Sequence, residues 1–286
     1  MSAGISTAVP RVGVFDSGVG GLTVLAAIRR RLPGIALEFC SDNAHFPYGT
    51  RTEEDLLACV LQSTKRFIAQ TGIDILVVAC NTASTVVLPA LRTPGPGGHA
   101  VEVVGVVPAI KPAAQQTRTG VIGILATPGT VKRPYLDDLI RTHAPGCKVL
   151  RVGSRVLVEL AERKLRGEVI EDAAVAAEAR GFFEHGAREG EGKVDVVVLG
   201  CTHFPHLVPE LERTSPWPVR WIDSGPAIAA RVEQLLLAKG HELGAMTEPG
   251  GTGGTAWFTA EAASVAPLAP ALASPAYGLQ RLAVLA

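Results

Sequence analysis

Two separate stretches of the chain carry one pattern. Asp74 is followed by Ile75, Leu76, Val77 and Val78, then Ala79, Cys80, Asn81 and Thr82; Asp195 is followed by Val196, Val197, Val198 and Leu199, then Gly200, Cys201, Thr202 and His203. In both, the cysteine stands six residues after the aspartate. An unbroken apolar run of this kind, closed by a small residue, reads as a strand buried on both faces, as in parallel sheets covered by helices. The repetition predicts two similar units, each delivering one thiol to the carboxyl end of its sheet.

The rest of the chain alternates strands and helices. Arg11 to Phe15 reads as a strand running into a loop of Asp16, Ser17, Gly18, Val19, Gly20 and Gly21. A helix follows over Leu22 to Leu32, with Leu22, Leu25, Ile28 and Leu32 at helical spacing. Ile35 to Cys40 is a second strand, and Thr52 with Glu53, Glu54 and Asp55 reads as a capped helix start leading to Gln70. After the Cys80 strand come a helix over about 83–91, a Pro/Gly surface loop over 93–98 and a strand over 101–107. Gly120 to Leu125 opens a second strand, loop and helix unit whose loop carries Ala126 and Thr127, parallel to the one that carries Asp16 and Ser17. Helical patterns over 155–166 and 171–183 precede the Cys201 strand; a helix over about 205–213 and a strand over 219–222 follow it. Gly250 to Gly254 reads as a linker, and the Ala/Pro-rich tail is expected to pack back on the first domain. The expected fold is α/β: two similar doubly wound parallel-sheet domains, with the active site in the cleft between them. One domain would comprise residues 1–108 plus 219–286, the other 109–218.

Five cysteines, without CxxC or Cys/His metal spacing, argue against structural disulfides and against a metal site; Cys40, Cys59 and Cys147 read as small buried hydrophobes. Net charge is zero and no basic or acidic block stands out, so neither a nucleic acid nor an anionic membrane is the expected partner. A small molecule is. With no export segment and no apolar run near the ~18 residues of a membrane span, a cytoplasmic protein is expected. Its oligomeric state is open between monomer and homodimer.

In open parallel sheets ligands bind beyond the carboxyl ends of the strands, where Asp16, Ser17, Cys80, Thr127 and Cys201 all fall. The Gly18, Gly20, Thr23 spacing lacks the third glycine of a dinucleotide loop, although Asp42 stands near the place of a ribose-binding acid. Asp16 would repel a pyrophosphate at that helix N-terminus, and with Ser17 it suits an ammonium group better. A thiol just before a helix N-terminus has its thiolate favoured by the dipole, against an ordinary pKa of ~8.5. One such cysteine with His203 as base would suit a thiol hydrolase. Two at equivalent points suit removal of a proton from one face of a carbon and return to the other, which is racemisation. In that reading Asp16 supports Cys80, and His203 and Glu159 support Cys201. Plainer roles remain open: a helix cap for Asp16, a solvated helix residue for Glu159, a structural hydrogen bonder for His203.

Four ordered motifs then carry a family resemblance. Val14 to Leu22, the Pro47, Tyr48, Gly49 run, Ala79 to Ala83, and Gly200 to Pro205 resemble the signatures of glutamate racemases, over about Arg11 to Leu237. The resemblance implies a cofactor-independent enzyme that interconverts L- and D-glutamate and supplies D-glutamate for peptidoglycan. Cys80 would be the base toward D-glutamate and Cys201 the base toward L-glutamate, with Glu159, in Leu157, Val158, Glu159, assisting the second cysteine. Asp16 and Ser17, Tyr48 and Gly49, Asn81 and Thr82, and Thr202 and His203 fall on the family's substrate-binding pairs. Ser154 and Arg155 stand where many members have a Cys-Pro pair; with the Glu159 to Leu165 run they resemble the Gram-negative subgroup, some of whose members need the activator UDP-N-acetylmuramoyl-L-alanine.

Overall fold

Every strand pairing in the computed structural model is parallel; residues 9–93, 101–186, 192–243 and 254–285 are described. In chain order the first elements are β1 (Arg11–Asp16), α1 (Leu22–Arg31), β2 (Ala36–Ser41), α2 (Glu53–Thr71), β3 (Ile75–Val78), α3 (Asn81–Arg92) and β4 (Glu102–Gly105). Next come α4 (Ile110–Gln116), β5 (Val121–Ala126), α5 (Pro128–Val131), α6 (Pro134–His143), β6 (Lys148–Gly153), α7 (Val156–Leu165), α8 (Asp172–Gly186), β7 (Val196–Leu199), α9 (Val208–Thr214) and β8 (Arg220–Ile222). The chain ends with α10 (Gly225–Ala238), β9 (Gly254–Phe258), α11 (Ala269–Leu272) and β10 (Leu279–Val284).

Two units result, one running to Val106 and resuming at Gly225, the other Val107–Ser224. The first is built on a six-stranded sheet in the order β10-β9-β2-β1-β3-β4, the second on a four-stranded sheet in the order β6-β5-β7-β8. The run β2-β1-β3-β4 thus has the same order as β6-β5-β7-β8, so the duplication seen at the cysteines extends to the topology.

The two central strands share a packing device. Gly13 in β1 leaves room for Phe67 of α2, whose ring carbon would lie 2.7 Å from an added Cβ; Gly123 in β5 leaves room for Phe182 of α8, at 2.9 Å. Both phenylalanines are fully buried, each contributing about 1.5–3 kcal/mol relative to exposure. A side chain at either glycine would push the helix off its sheet.

The first boundary falls two residues before the expected one, at Val106, and the second six residues after it, at Ser224. The strand after Pro218 does not begin the return to the first domain: as β8 it pairs with β7, Val197 opposite Trp221, and forms the edge of the second sheet. The proline marks a turn into the strand, and the second unit closes after Ser224, whose hydroxyl donates to Val107 O at 2.6 Å, tying together the two ends of that unit. The helix expected over 205–213 is a 3-10 turn, Phe204–Leu207, followed by α9. Pro209 has no N–H to give to the carbonyl one turn earlier, so a single helix cannot run through it. The strand expected over 101–107 contracts to β4.

The tail returns to the first sheet as strands: β9 pairs with β2, and β10 with β9. Residues 94–98 of the expected loop and 250–253 of the expected linker lie outside the described residues, and Gly254 opens β9. Among the described residues no helix is long and apolar enough to cross a membrane.

Candidate active site

In the first unit, the ends of β1 and β3 are locked side by side by Ala79 N–H donating to Phe15 O at 2.8 Å. Asp16 is completely buried at the end of β1, and its Oδ2 accepts from Gly18 N–H at 3.3 Å. Cys80 is the N-cap residue of α3, 7 % exposed, with the Ser17 hydroxyl 3.8 Å from its sulfur. Its carbonyl accepts from Ser84 N–H, and the Ser84 hydroxyl donates to Val78 O and accepts from Val106 N–H, so the junction after β3 is held from three sides. Asn81 and Thr82, the first residues of α3, are buried, and Asn81 Oδ1 is a buried acceptor with no hydrogen-bond partner.

Tyr48 and Gly49 lie in a 3-10 turn, Tyr48–Thr50, after β2. The Tyr48 hydroxyl donates to Asp42, a fully buried carboxylate that also accepts from Ser63 Oγ of α2 at 3.1 Å and lies 2.8 Å from His45 Nδ1. Burial and the Asp42 charge push the Tyr48 phenol well up, which holds it as a donor. The same two causes raise Cys59 to about 11, and Cys40 is also raised, so these two thiols stay protonated, as expected of core residues. Asp42, His45 and Cys59 bring ligand-type atoms within 4.8 Å of one another. Both Asp42 oxygens are already engaged by Tyr48, His45 and Ser63, which makes the cluster a hydrogen-bond hub of the turn. Nothing in the residue pattern around Asp42 announced that hub, because its partners come from 21 positions away as well as from its own loop.

In the second unit Thr127, at the end of β5, is half-buried, with its hydroxyl 3.0 Å from that of Thr130. Cys201 follows β7, is 8 % exposed, and faces His203 Nδ1 at 3.7 Å; Thr202 between them is buried. The other ring nitrogen of His203 donates to Glu162 Oε1 at 2.8 Å. Burial opposes charge on this imidazole, but its hydrogen bonds to Cys201 and Glu162 outweigh that and raise its pKa well above the ordinary value. The arrangement can hold a proton on His203 beside a sulfur that gains or loses one.

The carboxylate is not the expected one. Glu159 is exposed to solvent on α7, whereas Glu162, three residues on, is buried and touches His203. With about 100° per residue, the two glutamates flank the buried stripe of Leu157, Leu160 and Ala161 about equally, Glu159 about 100° beyond Leu160 and Glu162 about 100° beyond Ala161. Helical phase against those apolar positions does not distinguish the two glutamates, and neither does the Leu157, Val158, Glu159 match; what separates them is that the Glu162 side of α7 meets His203. Ser154 accepts from Leu157 N–H at 3.0 Å and so caps the start of α7.

Two parallel-sheet units, each with a cysteine at the same strand-to-helix junction, define a class, and comparison with known proteins gives its name. The Asp/Glu/hydantoin racemase family matches residues 20–232. The chain is 47 % identical over 230 residues, 80 % of each chain, to the glutamate racemase of Brucella ovis, and 49 % identical over 227 residues, 79 % of this chain and 77 % of the other, to that of Klebsiella pneumoniae. Its fold superposes with a TM-score of 0.85 and 41 % identity on the crystal structure of Escherichia coli glutamate racemase in complex with L-glutamate and the activator UDP-MurNAc-Ala, covering 98 % of this chain and 99 % of that one. The chain belongs to the Asp/Glu/hydantoin racemase family. It is an isomerase, an amino-acid racemase of the glutamate racemase group.

Proposed function

We propose that the chain interconverts L- and D-glutamate by a two-thiol, two-base mechanism without a cofactor, and that it supplies D-glutamate for peptidoglycan in the cytoplasm. The observation that carries the reading is the equivalence of Cys80 and Cys201: each follows the third strand of a four-strand run with the same order. One thiol on each face of the α-carbon lets one remove its proton as a thiolate while the other delivers a proton as a thiol, and the roles exchange in the reverse direction. By the family resemblance Cys201 is the base toward L-glutamate and Cys80 the base toward D-glutamate.

Each thiol has its own support. For Cys201 to act as a thiolate its proton must be accommodated, and His203, backed by Glu162, is placed to hold it. Asp16 serves Cys80 at its sheet's end, with the Ser17 hydroxyl beside the sulfur. Asp16, Ser17 and the unpartnered Asn81 carbonyl oxygen offer acceptors for the substrate ammonium. Thr82, Gly49, Thr127, Thr202 and the backbone beside Tyr48 are left for its carboxylates.

A Cys201, His203, Glu162 line would also suit a thiol nucleophile. That reading needs no second cysteine, so Cys80→Ser separates the two: it abolishes racemisation and would leave a hydrolase intact. The direct test incubates the purified protein with L-glutamate or L-aspartate, without added cofactor, with and without UDP-N-acetylmuramoyl-L-alanine, and follows optical rotation. Loss of rotation with glutamate is expected. Rotation changing only with aspartate would make the chain an aspartate racemase, and no change with either, activator present, would overturn the reading.

A further inference from the structure

The mechanism above uses Glu162 but not what holds it. Glu162 has a side chain 10 % exposed and divides its two carboxylate oxygens: Oε1 accepts from His203 Nε2 at 2.8 Å, and Oε2 accepts from Arg166 Nη1 at 2.6 Å. The same guanidinium nitrogen donates to the Glu162 backbone carbonyl at 2.7 Å, so the Arg166 head is fixed by two acceptors of a single residue. Arg166 is the C-cap residue of α7, and Gly167, at φ +88°, turns the chain out of the helix there. The helix therefore ends where its last side chain reaches back one turn onto Glu162.

An i, i+4 Glu and Arg pair on an exposed helix face is ordinarily a weak contact. Here the glutamate is buried, and its other oxygen is committed to an imidazole that faces the sulfur of Cys201. Resting on the two-thiol reading, we propose that Arg166 is a positioning residue for Cys201: it pins Glu162 so that one oxygen stays on His203, and its charge keeps the carboxylate ionised so that the Cys201 proton is held on the imidazole and not passed on to Glu162. Proton balance is unchanged by Arg166 itself. When Cys201 is the base it takes the α-proton of L-glutamate as a thiolate beside imidazolium; when it is the acid it returns that proton to the carbanion.

Among the described residues, the neighbouring charged groups Lys164, Glu210, Arg213 and Asp172 pair with one another. Lys164, also on α7, donates to His206 O at 2.8 Å and to both oxygens of Glu210, and Arg213 bridges Glu210 and Asp172. Lys164 thus ties α7 to the turn after His203 through His206 and Glu210.

The test compares wild type, Arg166→Met and Arg166→Lys for racemisation of L- and D-glutamate, protiated and deuterated at the α-carbon. Because enantiomers are equal in free energy, kcat/KM falls equally in both directions; a drop of about tenfold is expected for R166M and a smaller one for R166K. The directional signature lies in the isotope effect. Weakening Cys201 makes its proton transfer more rate-limiting, so R166M raises the isotope effect on kcat/KM for L-glutamate and lowers it for D-glutamate. Damage spread over the whole fold would not split the two directions. In a Glu162→Gln background the same Arg166 change should add less than twofold, since its effect runs through that carboxylate. If wild type does not racemise glutamate, the two-thiol reading fails first. If wild type racemises but R166M leaves the two isotope effects in their wild-type ratio, or lowers activity equally with and without Glu162, the positioning role is wrong.

Discussion

Glu162→Gln removes one negative charge from a buried position while keeping the shape of the side chain. In the native protein that carboxylate accepts a charge-assisted hydrogen bond from His203 at 2.8 Å, on an imidazole that is 2 % exposed. Hydrogen bonds to charged groups are worth about 1.5–3 kcal/mol, more than neutral ones because burial strengthens the attraction. If that support is felt when Cys201 transfers its proton, its loss lowers kcat/KM by about 10- to 150-fold, at about 1.4 kcal/mol per factor of ten. Glu159→Gln, three residues earlier but on the solvent face, should change kcat/KM by less than about twofold. Racemisation followed by circular dichroism from each pure enantiomer measures both variants. A large loss in E159Q with near-normal activity in E162Q would refute the assignment made from burial and the His203 contact, and return the supporting role to the residue that the tripeptide match pointed to.

Titration of His203 also shows in stability. Its folded pKa lies above the unfolded value of 6.5, so its contribution is fully present below about pH 6.5 and is lost as pH rises through the folded pKa. The stability gap between wild type and His203→Asn, measured by denaturant unfolding, should therefore be larger near pH 6 than near pH 9; a gap that widens with pH would contradict the sign. Gly123→Ala places a methyl 2.8 Å from Val197 and 2.9 Å from Phe182 and should destabilise the protein by about 1–3 kcal/mol, read as a lower Tm. An unchanged Tm would mean that Phe182 does not depend on the missing Cβ.

Much of this protein is legible in its residue order because burial on both faces leaves a strong mark. The runs around Val77 and Val197 could only be inner strands, and their matching cysteines anticipated the shared order of the two four-strand runs. The extent of the second sheet was harder to read. β8 is three residues long with an exposed arginine and half-buried Trp221 and Ile222, so its edge position weakens the apolar signal that would assign it to β7. The 3-10 turn at Phe204–Leu207 was hidden because prolines at 205 and 209 are compatible with helix starts as well as helix breaks. At the candidate site, strand ends located Asp16, Cys80 and Cys201. Glu162, Arg166 and the Asp42 hub were missed because their partners are set by tertiary packing: His203 meets Glu162 across 41 residues of sequence, and only the rotation of α7 decides which of two nearby glutamates it finds.

The central claim is that two different thiols act on opposite faces of one carbon. Its most direct measurement is a reaction in deuterated water, started from L-glutamate and repeated from D-glutamate, with substrate and product separated while only a few per cent has turned over. Two thiols, each exchanged with solvent, predict product carrying deuterium at the α-carbon while the remaining substrate keeps its hydrogen, in both directions. Unlabelled product, or deuterium entering substrate and product equally, would mean that one group carries the proton across and would contradict the two-thiol account.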